Sequence, residues 1–159
     1  MTNLNSILSQ IKTEAKQKAE SKGAYSGYKL VAELNSIQDK NTPVVIALKT
    51  PVYDEDYNIV DYTFTLVGSD FQCYSWRGSY DLPAADYEEN FSFSVQTIID
   101  NIIASDGKEV SGWKGGDFTL SMNDIIYIAN QGTSNNATAI VGITESDAYI
   151  ILETEPDMY

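Results

Sequence analysis

The run Val44-Val45-Ile46-Ala47-Leu48 decides how this chain is read. Five consecutive apolar residues, three of them β-branched, follow a polar break at Asp39-Lys40-Asn41-Thr42-Pro43. That pattern predicts a strand buried on both faces. The sequence just beyond it predicts a hairpin over 52–67. Val52-Tyr53 leads out, Asp54-Glu55-Asp56-Tyr57-Asn58 forms the tip, and Ile59 to Val67 returns. In the return strand Tyr62, Phe64 and Leu66 alternate with Asp61, Thr63 and Thr65. The tip opens like a calcium loop, Asp-x-Asp-x-Asn. However, Ile59 stands where such a loop needs glycine, and Thr65 where it needs glutamate, so a solvated turn is expected.

Working outward toward the N-terminus, Leu4, Ile7, Leu8, Ile11, Ala15 and Ala19 recur at helical spacing and predict a helix over 3–22. Thr2 or Asn3 can cap it and Gly23 can end it. Its narrow stripe points to packing or self-association, because a lone polar helix is marginal in water. A second helix is expected over 28–38, with Tyr28, Val31, Leu34 and Ile37 on one face. Toward the C-terminus, a long Pro-containing loop is expected over 75–90. A helix follows over 92–105, capped by Ser92 or Ser94, with Val95, Ile98, Ile99, Ile102 and Ile103 as its apolar face and Asp106-Gly107 as its end. Phe118 to Leu120, Ile125 to Ala129, Ala139 to Ile143 and Tyr149 to Leu152 read as short strands.

This order predicts an α+β protein: N-terminal helices, then a small antiparallel or mixed sheet packed against one internal helix. The expected division is a helical segment over 1–23, one α+β domain over 24–153 and a mobile acidic tail over 154–159. A length of 159 residues and 43% apolar content suit a single core.

Charge narrows the function classes. Ten basic against 23 acidic residues give −13. Residues 1–40 hold six lysines and four acids, a balance of +2. Residues 41–159 hold four cations and 19 acids, a balance of −15. Such a field repels phosphate backbones and anionic membranes, so direct nucleic-acid or membrane binding is not expected. The acidity serves solubility, or it imitates nucleic acid toward a basic partner. The sequence has no histidine and one cysteine, Cys73. That excludes His-based triads, His-bearing zinc sites and an intramolecular disulfide. Cys73 is expected to be a small buried apolar residue. Neither a cofactor nor a metal site is expected, and no apolar run reaches the length of a membrane span.

Two stretches stand out: Ser75-Trp76-Arg77-Gly78-Ser79-Tyr80 and Gly112-Trp113-Lys114-Gly115-Gly116-Asp117-Phe118. Each joins an aromatic residue, a cation and glycine. Guanidinium and ammonium groups meet phosphate or carboxylate. Aromatic rings stack on a base. Glycines let backbone amides converge on an anion. Two of the four cations in residues 41–159 directly follow the two tryptophans. Trp76, Arg77, Gly78, Tyr80, Trp113, Lys114, Gly115 and Gly116 are therefore the candidate ligand-binding residues. The competing reading makes the tryptophans core or rim aromatics, with Arg77 and Lys114 paired to acids such as Asp81 or Asp117. Gly107-Lys108-Glu109 lacks the hydroxyl residue of a P-loop. The acids Asp81, Asp86, Glu88 and Glu89 read as solvated loop residues, so no catalytic constellation is expected.

These motifs, with the isoleucine-rich helix and the strand Ala139-Ile140-Val141-Gly142-Ile143, resemble a group of uncharacterised small proteins encoded by tailed bacteriophages. The resemblance extends to residues 34–46 and covers roughly half the chain. It implies a phage accessory protein acting in the host cytoplasm, with no activity to carry over. The leading expectation is an anti-defence protein that sequesters a small anionic, nucleotide-derived immune signal without catalysis, as a homo-oligomer. The alternative is an acidic nucleic-acid mimic that inhibits a host nuclease, a DNA-binding protein or another host defence protein.

Overall fold

The computed structural model describes residues 21–67, 71–75, 77–80, 93–111, 116–130 and 138–156. The helix expected over 3–22 lies outside them except for its last two residues. Gly23, its expected terminator, has φ +95°, a left-handed conformation that glycine adopts at little steric cost.

The protein is α+β, and its centre is a mixed sheet. The ten strands among the described residues are β1 (Pro43–Tyr53), β2 (Ile59–Val67), β3 (Phe71–Ser75), β4 (Gly78–Ser79), β5 (Phe93–Ser94), β6 (Glu109–Ser111), β7 (Asp117–Thr119), β8 (Tyr127–Asn130), β9 (Ala139–Glu145) and β10 (Ile150–Glu155). Eight form one sheet in the order β2-β1-β10-β9-β8-β3-β4, with β5 joined to the start of β1. β6 and β7 form a separate hairpin. β1 and β10 run parallel, and the other pairings are antiparallel.

The apolar run is the core of β1. Val44, Ile46 and Leu48 are fully buried, opposite Ile150 and Leu152 of β10. The two helices described, α1 (Gly27–Asn35) and α2 (Val95–Ser105), cover this face. Leu30, Leu34, Val95, Ile98 and Ile102 join the same cluster. Ser26 caps α1, accepting from Lys29 N at 3.2 Å, and Ser94 caps α2, accepting from Thr97 N at 3.1 Å. The opposite face carries a smaller cluster of Ala24, Ile125, Tyr127 and Ala139, with Tyr74 and Val141 packed on it.

Several expectations are corrected. Among the described residues the main sheet has eight strands and is not small. The apolar face of α1 includes Leu30, whereas Tyr28 is exposed and Ile37 is buried beyond the helix end. Ile103 of α2 is also exposed, because the buried stripe runs through Val95, Ile98, Ile99 and Ile102. The tail expected over 154–159 begins inside a strand: Thr154 and Glu155 belong to β10 beside the first strand.

Thr154 explains how that strand continues. The parallel ladder ends at Ala47 and Glu153, where β10 shifts register against β9. Beyond it the buried Thr154 hydroxyl donates to Ala47 O at 2.8 Å and accepts from Lys49 N at 3.1 Å. A side chain thus satisfies two backbone groups that no strand reaches.

Candidate functional site

The first motif sits on the β3–β4 hairpin. Tyr74 pairs with Ser79 and Ser75 with Gly78, so the chain turns back after Ser75 and Arg77 leads into β4. Ser75 Oγ accepts from Arg77 N at 3.1 Å, which tightens that turn. The Arg77 side chain then runs toward the segment after β7. Its Nε lies 3.0 Å from Asp124 Oδ2, and its Nη1 donates to Thr119 O at 3.3 Å. Asp124 has a side-chain exposure of 6%, against 32% for Arg77. The carboxylate is therefore the desolvated partner, and the guanidinium compensates its charge.

The sequence weighed Asp81 and Asp117 as partners of Arg77, and the structure supplies Asp124. This residue was missed because it lies in an ordinary-looking turn, Ser121-Met122-Asn123-Asp124. Its one local signal is the density of turn-forming residues around it.

Tyr80, read as a ligand-contacting ring, lies in the core. It is 1% exposed, and its hydroxyl donates to Ser121 O at 3.0 Å. Its backbone is held too, with Tyr80 N donating to Cys73 O at 2.8 Å and Ser105 Oγ donating to Tyr80 O at 3.1 Å. Burial pushes the phenol well above its usual value, and the nearby Asp124 charge adds to the shift. Tyr80 offers no face for stacking. It anchors the hairpin to the end of α2.

The second motif links β6 to β7. Ser111 pairs with Asp117, the pair of this ladder nearest the motif. Gly116 has φ +85°, and a Cβ there would sit 3.8 Å from Phe118 Cε2. The left-handed backbone, not crowding, requires glycine at this position. Trp76, Trp113, Lys114 and Gly115 lie outside the described residues, as do Asp81, Asp86, Glu88 and Glu89. Gly78 is placed in β4.

The frames of the two motifs meet. Arg77 follows the turn of one hairpin and bonds to the last residue of β7 in the other. β4 also lies against β6. The meeting is between anchors: Arg77 is tied to Asp124 and Thr119, and it brings partly exposed guanidinium to the seam between the hairpins.

Cys73 is fully buried in the main core, where burial pushes its thiol up to about 12. At neutral pH it is a protonated packing group and not a nucleophile. At the acidic hairpin tip, Asp54 Oδ1 accepts from Asp56 N at 2.9 Å and from Asn58 N at 3.0 Å. The carboxylate caps its own turn.

On the other face of the sheet, Lys49 Nζ lies 2.9 Å from Glu155 Oε2 and 4.2 Å from the Tyr62 ring centroid. This arrangement was not legible locally, since Lys49 and Glu155 are 106 residues apart.

Comparison with protein-family models, with curated proteins and with solved structures gives no match.

Proposed function

We propose that this protein is a bacteriophage accessory protein that binds and sequesters a small anionic, nucleotide-derived signal of host defence without transforming it. The observation that carries the reading is the bond from Arg77 of the first motif to Thr119 of β7, the strand that follows the second motif. Arg77 of the first stretch is thereby fastened to the strand that the second stretch leads into, in a strongly acidic chain. In this reading Trp76 and Trp113 stack on the base. Lys114 meets phosphate, helped by backbone amides near Gly115 and Gly116. Arg77 contributes its partly exposed edge while Asp124 fixes its position. Tyr80 is a support of the site and not a contact.

The test is retention. Purified protein is incubated with a panel of cyclic mono- and dinucleotides, filtered, and the filtrate analysed. One compound should be depleted, and heating the retained fraction should release it unchanged. Trp76→Ala with Trp113→Ala, or Lys114→Ala alone, should weaken retention at least tenfold. Retention of none of the panel, or full retention by these variants, overturns the proposal.

A further inference from the structure

Strand β2 forms an edge of the main sheet. It is the terminal strand of the sheet order, and among the described residues nothing pairs with its outer edge. It runs nine residues, Ile59–Val67, with one charge, Asp61, and neither proline nor lysine. Natural edges carry proline and lysine to stop strand addition; this edge lacks both, and its one register shift lies at Val60, leaving Asp61 to Val67 regular. Its apolar side chains are also out in solvent. Phe64 is 67% exposed, Leu66 64% and Val60 61%.

The direction of the free edge follows from β1. Ala47 O and Lys49 N turn toward β10, where Thr154 meets them. Ile46, Leu48 and Thr50 therefore bond toward β2, at their partners Val67, Thr65 and Thr63. Alternation then turns the N–H and C=O of Tyr62, Phe64 and Leu66 outward, while Val60 sits at a register shift, opposite no residue of β1.

The sequence of β2 is a palindrome in character. About Thr63 it reads aliphatic, aliphatic, polar, aromatic, Thr, aromatic, polar, aliphatic, aliphatic. An antiparallel pairing centred on Thr63 sets Tyr62 against Phe64, Val60 against Leu66, Ile59 against Val67 and Asp61 against Thr65 of the second copy. The outward N–H and C=O groups of Tyr62 and Phe64 meet those of Phe64 and Tyr62 in the second copy, and no like charges oppose. Aromatic and aliphatic cross-strand pairs are those that stabilise sheets. A two-fold axis demands such self-complementarity, and another kind of partner does not. A chain of −13 repels its own copies, but β2 itself carries only Asp61, which this pairing sets against Thr65 and not against another acid.

We propose that two copies of this chain associate through β2, joining their sheets into one continuous sheet across a two-fold axis at Thr63. The inference stands apart from the ligand site, which lies near the other end of the sheet order.

Light scattering coupled to size exclusion should give about 35 kDa, twice the 17.6 kDa chain. Phe64→Pro removes an outward N–H that the β1 ladder does not use, so it should leave the circular dichroism spectrum intact and yield monomer. Thr63→Cys supplies a second readout that depends less on refolding. In a pair without mutual hydrogen bonds the two Cα atoms lie about 4.5 Å apart, within disulfide reach. Mild oxidation should therefore produce a covalent dimer. Asp61→Cys should not, because its two copies lie about 13 Å apart along the strands. The native Cys73 is buried and does not interfere. A monomer at all concentrations overturns the proposal. So does a dimer that survives Phe64→Pro while Thr63→Cys fails to cross-link; that result assigns association elsewhere, to residues 1–20 for instance.

Discussion

Arg77 is both the best-placed cation of the candidate site and the partner of a buried acid, so its replacement separates two roles. In Arg77→Met the stem is retained and the charge is lost. Asp124, at 6% side-chain exposure, is then left without the guanidinium 3.0 Å away. Removing one member of a buried ion pair costs about 3–5 kcal/mol. Arg77 is itself 32% exposed, and water screens part of that interaction. The expected loss is therefore about 2 kcal/mol. Asp124→Asn in the Arg77→Met background removes the unpaired charge and should recover at least half of it. The assay is urea denaturation followed by circular dichroism, with the four proteins forming a double-mutant cycle. A coupling below about 0.5 kcal/mol would refute the claim that Arg77 compensates the charge of the buried Asp124. Ligand retention by the double variant then reports on the binding role alone.

Thr154→Val keeps the shape of the side chain and strips two bonds from the centre of the sheet. It should cost about 2 kcal/mol, while Thr154→Ser should retain most of the stability. This is checked by the same denaturation curves. Gly27→Ala places a Cβ 3.1 Å from the Cα and O of Met122, both backbone atoms. It should destabilise by about 1 kcal/mol although alanine favours helix, as overpacking outweighs propensity. Alkaline pH tests the buried thiol. Cys73 rises from 9.0 to about 12 on folding, and burial with Glu33 raises Tyr25 from 10.0 to about 12. The folded state holds these protons more tightly, so their contribution is complete below pH 9 and lost as pH climbs toward 12. Cys73→Ala should make that loss shallower, and a thiol reagent should label native Cys73 only after denaturant is added.

The parts of the fold that were legible are those with strong local periodicity. Val44 to Leu48 signalled a buried strand, and the helix at Val95–Ser105 carried both its stripe and its cap. The β1–β2 hairpin was readable from its acidic tip. The pairings that create the architecture were not. Nothing near Val44 announces Ile150 as its parallel neighbour, because strand partners share no local pattern. β3, β5 and β6 are two to five residues long, too short for alternation to register. Tyr62, Phe64 and Leu66 showed clean alternation, but alternation does not say which face meets a core, and here that side is open. At the candidate site, the Trp-cation-Gly composition was visible. That Tyr80 is core and that Asp124 holds Arg77 depends on contacts 41 or more residues apart in sequence.

The parallel pairing of β1 with β10 has a consequence for how the chain comes to be folded. Ala47 waits 107 residues for Thr154. At about 5–20 residues per second, synthesis leaves β1 without that neighbour for roughly 5–20 s. During this interval the hairpin with β2 forms within microseconds, but the other edge of an apolar strand stays open to any passing chain. Assembly of the sheet centre is thus a late, high-contact-order event. Negative charge builds up during that window, since residues 1–67 carry seven lysines and eight acids while all 159 residues carry −13, so repulsion between unfinished chains grows as β10 approaches.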